Sequence, residues 1–133
     1  MYRFFLLIAS LGALSAVAMG AFGAHGLHST LDEQRLAIYH IGVQYHIWHS
    51  LALGLLASIL HIHSHTHTHS GIRWIHWAGG CFTTGIVFFS GSLYAYSLSG
   101  IRWFGMVTPL GGVAFLLGWM FLAWFAWRLP SHS

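Results

Sequence analysis

The chain has 133 residues, with five arginines, no lysine, one aspartate and one glutamate; charged residues make up 5% and apolar residues 56%, against roughly 25% and 45–50% in soluble domains. A soluble fold of this size needs a polar shell that this composition cannot build, so a bilayer is the expected solvent. The formal charge of +3 gives no nucleic-acid partner, because the arginines stand singly and a phosphate backbone needs clustered cations.

The first apolar run covers about residues 4–23 and reaches the roughly 20 residues that cross a 30 Å hydrocarbon layer as a helix. Arg3 ahead of an apolar stretch that ends in small residues resembles a signal peptide; the run is read as a true first span. Ala9, Ala13, Ala16, Gly20 and Gly23 fall on one helical stripe, and "GAFGAHGL" (Gly20 to Leu27) closes the span with His25. Asp32, Glu33 and Arg35 follow as a solvated linker or a helix start after Ser29 or Thr30.

The second run covers about residues 38–60. Ile41, Trp48, Leu55 and Ile59 make a bulky face, with His46, Ser50 and Ala57 opposite and His49 near mid-span. After it comes "HIHSHTHTH", read as the start of a hydrophilic loop over residues 61–73 that carries His61, His63, His65, His67 and His69. Strict alternation puts the five imidazoles on one side of an extended strand or scatters them around a helix. Such a loop can chelate zinc, copper or nickel, or simply keep the connection wet; nothing in it fixes a coordination geometry.

The third run, about residues 74–96, shows a small or polar stripe of His76, Gly80, Thr83, Val87, Ser90 and Tyr94. Ile75, Phe82, Ile86, Phe89 and Leu93 form the bulky stripe on the other side. Cys81, the lone cysteine, belongs to no metal or disulfide motif and reads as a packing residue. Arg102 and Trp103 suit an interfacial anchor ahead of the fourth run, about residues 105–127, which holds Thr108-Pro109 and the small stripe Gly111, Ala114 and Gly118.

All five arginines punctuate span ends. Arg3, Arg73 and Arg128 on one side against Arg35 and Arg102 on the other predict cytoplasmic termini in the cell (inner) membrane, by a margin of one charge. Lipid gives helices no hydrophobic reason to associate, so small stripes facing inward and bulky stripes facing lipid predict a tight up-down four-helix bundle, one all-α membrane domain over residues 1–133.

Four up-and-down spans bring the first and third linkers to one membrane side. His25, His46, His49, Ser90, Tyr94 and Thr108 then gather in the same half of the bilayer. His46 and His49 can share one side of a helix, and imidazole nitrogen suits zinc, copper and haem iron. With His25 they are the candidate metal or haem ligands; the alternative for each is an interhelical hydrogen bond. Ser90, Tyr94 and Thr108 either line a polar pocket or bond neighbouring helices. No Ser/His/Asp set, facing carboxylate pair, P-loop or dinucleotide fingerprint is present.

"GAFGAHGL" together with "FSGSLY" (Phe89 to Tyr94) and "RWFGMVTPLGG" (Arg102 to Gly112) resembles the domain of unknown function 423 family, also called uncharacterised protein family 0382, to which the eukaryotic transmembrane protein 256 is similar. The resemblance covers nearly the whole chain and implies a four-span membrane protein without an established activity. Neither "HIHSHTHTH" nor the extra histidines of "YHIGVQYHIWH" belong to it. The leading expectation is an accessory or assembly subunit of a larger membrane complex, with the lipid bilayer and another membrane protein as partners. The alternatives are a haem-, copper- or zinc-binding protein built on the intramembrane histidines, and a small-solute or proton pathway past His49.

Overall fold

Residues 1–64 and 71–129 are described in a computed structural model. Among them are four long helices and no strand: α1 (Tyr2–Leu27), α2 (Glu33–Ser64), α3 (Ile72–Ser99) and α4 (Arg102–Trp127), each long and apolar enough to cross a membrane. The all-α, four-span architecture expected from the sequence is therefore the observed one. Two stretches are π-helical, Gly23–Leu27 at the end of α1 and Ile86–Ser90 inside α3.

The helices overrun the expected spans. The 32 residues of α2 extend to ~48 Å at 1.5 Å per residue, well past a hydrocarbon layer. His61 and His63 therefore lie on its last turn, not in a loop, because no glycine or proline stops the helix once it is nucleated. His65, His67 and His69 lie outside the described residues. At the other end, the Arg35 backbone N–H donates to Asp32 Oδ1 at 2.8 Å. The helix start is thus capped by Asp32, not by Ser29 or Thr30; the Thr30 hydroxyl turns back to the Leu27 carbonyl. Gly100, with φ 74°, ends α3 in the left-handed conformation that glycine adopts freely, and the Arg35 guanidinium lies over it.

Consecutive helices run antiparallel. Between α1 and α2 the pairs Tyr2–His61, Ala9–Gly54, Gly12–Ser50, Ser15–His46 and Met19–Tyr39 follow in order. Between α3 and α4 the pairs are Phe82–Gly118, Gly85–Phe115, Phe89–Gly111 and Ser92–Thr108. Two apolar clusters fill the interior. The larger, with Phe5, Leu53, Leu56, Ile75, Phe82 and Phe115, lies toward the His61 end; the smaller, Leu27, Tyr39 and Tyr94, lies toward the α3–α4 linker.

The small stripes of α1 and α4 do face inward: Ala9, Ala16, Gly23, Gly111 and Gly118 are buried. Of the α2 bulky face, Ile41, Trp48 and Leu55 are exposed as expected, while Ile59 is partly buried against the larger apolar cluster. On α3 the expectation holds at Ser90 and Tyr94 but fails in the first half of the helix. Ile75 and Phe82 are fully buried, while Val87 is exposed and Gly80 faces open space. Two causes act together. Phenylalanine rings, not other glycines, fill the space that Gly118 and Gly85 leave: Phe82 lies against Gly118 and Phe115 against Gly85. The π-helical turn at Ile86–Ser90 also adds a residue, which rotates the remainder of α3 by about 100°, so Ser90 and Tyr94 point inward although Val87 does not.

Candidate functional site

The mid-membrane polar groups form three separate contacts. His49, on α2, is 4% exposed. Its Nδ1 lies 2.8 Å from the Tyr45 carbonyl and its Nε2 accepts from Trp119 Nε1 at 3.2 Å. A carbonyl only accepts and an indole only donates, so the ring carries a single proton, on Nδ1. Phe115 stacks on the imidazole at 3.5 Å between centroids and 11° between planes, and Phe82 packs at 5.5 Å. Both nitrogens of His49 are thus engaged, one within α2 and one across to α4.

His46 is joined to α1 and α3. Its Nδ1 lies 3.3 Å from the Tyr94 hydroxyl and its Nε2 3.4 Å from Ser15 Oγ. Ser15 gives its own proton to the Leu11 carbonyl at 2.9 Å. The chain closes without conflict when Tyr94 donates to Nδ1 and Nε2–H donates to Ser15, the opposite tautomer to His49. Tyr39, two turns toward the linkers, donates to the Met19 carbonyl at 2.9 Å and ties α2 to α1 again.

The third contact joins α3 and α4. Ser92 Oγ and Thr108 Oγ1 are 2.8 Å apart, and Ser92 donates to the Phe89 carbonyl at 2.9 Å. Thr108 therefore belongs to this pair and not to the His46 cluster. Ser90 is fully buried one turn from Tyr94. His25 stands exposed on the π-helical turn that ends α1, away from His46 and His49. Among the described residues no three His, Cys, Asp or Glu side chains converge as a metal site requires. His25, His46 and His49 do not form a ligand set, because each histidine turns toward a different helix or toward the outside. Arg102 and Trp103 are exposed on the first turn of α4.

Beside His49, a groove of about 670 Å³ opens laterally between α2 and α4. Tyr45, Trp48 and His49 form one wall, and Pro109, Gly112, Val113, Leu116 and Trp119 the other, with Phe89 and Phe115 at its base. Its walls are mostly aromatic or aliphatic, and Tyr45, Trp48, His49 and Trp119 are the lining side chains that carry polar atoms.

Sequence reasoning missed Trp119, Tyr45, Ser15 and Tyr39. Trp119 carried a signal: tryptophan in a span belongs at the interface, so an indole well inside α4 implies a partner for its N–H. At the other end of the bundle the Arg73 guanidinium lies 5.0 Å from the Trp74 ring centroid and that of Arg128 5.1 Å from the Trp124 ring centroid, within cation–π range.

Residues 19–112 match the family model described as "Protein of unknown function (DUF423)". The membrane protein YwdK of Bacillus subtilis, named as UPF0382, is 42% identical over 120 residues, 90% of this chain and 93% of its own length. The UPF0382 inner membrane protein YgdD of Escherichia coli K12 is 38% identical over 131 residues, 98% of this chain and 95% of its own. A UPF0382 membrane protein of Staphylococcus epidermidis is 38% identical over 123 residues, 90% of this chain and 92% of its own. No solved structure matches the chain significantly.

Proposed function

This chain belongs to the DUF423 (UPF0382) family of membrane proteins of unknown function, and from that membership we propose that it is a non-catalytic accessory or assembly partner of a larger membrane complex. The observation that carries the reading is the lateral groove between α2 and α4. Its rim holds large side chains that the bundle leaves uncovered, Trp48 at 52% exposure and Leu116 at 72%. Rigid aromatic walls lose little conformational freedom on being covered, and concave aromatic surfaces anchor partner side chains. The intramembrane histidines support the same reading, since their nitrogens hold the bundle together and leave its outer faces to meet a partner.

The occupant proposed is a transmembrane helix of another protein, inserting a bulky apolar side chain beside Trp119. The proposed orientation has both termini on the cytoplasmic side of the inner membrane. Arg3, Arg73 and Arg128 against Arg35 and Arg102 support the orientation, and the inner-membrane name of the E. coli relative supports the location.

A photo-crosslinking residue at Leu116, activated in native membranes, tests the occupant. The expected product is a protein adduct of fixed mass that disappears in Gly112→Leu, which adds bulk to the groove lining at a position where a Cβ meets Phe89 at ordinary contact distance. Adducts to lipid alone would contradict the proposal.

A further inference from the structure

Hydroxyls inside helices usually satisfy themselves at the carbonyl three or four residues back. This chain does so at Ser10, Ser15, Ser58, Thr83, Ser92 and Ser99. Three buried serines do not. Among the described residues the Oγ atoms of Ser50, Ser90 and Ser97 have no hydrogen-bond partner, although these residues are only 1%, 0% and 0% exposed. A buried hydroxyl left unpaired is costly, the more so where no bulk water can reach it.

Ser50, on α2, and Ser90, on α3, each lie within one turn of the His46–Tyr94 pair. Ser50 follows His46 by one turn of α2, and its Oγ lies against Gly12 of α1: a Cβ added to Gly12 would be 2.5 Å from Ser50 Oγ and 3.8 Å from His46 Nε2. Ser90 precedes Tyr94 by one turn of α3, and Tyr94 bonds His46. The Gly42–Tyr94 and Tyr45–Phe89 contacts set a register that brings Ser90 opposite His46. Ser90 also closes the π-helical turn Ile86–Ser90, and a widened turn of this kind accommodates an inserted water in the helix ladder.

We infer that this part of the bundle binds ordered water, held by the Ser50 and Ser90 hydroxyls beside the His46–Tyr94 pair. The surrounding groups, Ser15, His46, Ser50, Ser90 and Tyr94, are neutral hydrogen-bonding side chains. A cation would ask for carboxylates or several convergent carbonyls, whereas a buried water asks for about three ordinary hydrogen bonds. The water turns the clamp from Ser15 through His46 to Tyr94 into a network whose protons exchange with an internal solvent molecule. The site is independent of the α2–α4 groove and of what covers it.

Water-edited solid-state NMR of the full chain in lipid bilayers tests the site. Polarisation from water is expected to reach Ser50, Ser90 and His46 at short mixing times, ahead of Leu53 and Phe82 in the apolar cluster. Thermal unfolding of Ser50→Ala and Ser90→Ala supplies a second reading with opposite signs for the two cases. A hydroxyl bonded to water loses a partner on truncation, so Tm falls by a few degrees. An unpaired hydroxyl is relieved by truncation, so Tm rises. Absence of water transfer at both serines, or a rise of Tm in both variants, overturns the inference.

Discussion

At the residue scale, His49 and His46 show how an ionisable side chain becomes a structural one inside a membrane. Each ring finds one partner per nitrogen, and the partners come from neighbouring helices or the ring's own helix. Trp119→Phe keeps an aromatic ring at the position and removes the donor to His49, so loss of the hydrogen bond is expected to destabilise the bundle by about 0.6–1.7 kcal/mol, the range of interhelical hydrogen bonds in membranes. The matching cycle with His49→Ala, followed by reversible unfolding in detergent micelles, should return a coupling of that order. Additive effects would show that the two side chains do not communicate. The sequence made His49 legible as buried and inward-facing, since charge and hydrogen-bonding capacity are expensive in hydrocarbon. It did not reveal which groups answer it. A histidine accepts any donor within reach, and reach depends on the relative rotation of two helices that no single-span pattern specifies.

At the element scale, the α3–α4 contact is held by reciprocal insertion of rings into glycine gaps. A Cβ on Gly111 would clash with the Phe89 backbone, and one on Gly85 would clash with the edge of the Phe115 ring. Gly80 and Gly105 meet nothing within 4 Å. Gly111→Ala is therefore expected to lower Tm, and Gly80→Ala to raise it, since an unhindered Gly-to-Ala change in a helix gains roughly 0.5–1 kcal/mol. Equal effects at the two positions would contradict the packing described. Asp32→Ala should cost about 0.5–2 kcal/mol through loss of the α2 cap, read by the same thermal unfolding; an unchanged Tm would assign the helix start to another group. The span positions were legible because composition and length alone determine them. The inward face of α3 was not. Bulky apolar side chains suit lipid and protein interior equally well, so Ile75 and Phe82 carry no directional signal of the kind they carry in water, and the π-helical turn breaks the spacing on which a stripe is counted.

At the scale of the whole molecule, one apolar cluster lies toward each end of the bundle with His46 between them, and the α2–α4 groove opens on the outside at the level of His49. A reporter fused at the C-terminus is expected to be active only on the cytoplasmic side, and to change side when Arg73 and Arg128 are both replaced by neutral residues. A periplasmic signal from the unaltered chain would reverse the assigned topology. The four-span architecture follows from the scarcity of charge, whereas the proposed accessory role does not, because a role of that kind is written in surface shape and not in a motif. The central claim is that the interior of this bundle serves its own cohesion while its lateral face serves a partner. Native mass spectrometry of untagged protein released with its own lipids tests that claim most directly. The account predicts a complex of defined stoichiometry with a second membrane protein, which Gly112→Leu dissociates while the variant chain stays folded. A chain found solely as a lipid-bound monomer, in wild type and variant alike, would contradict it.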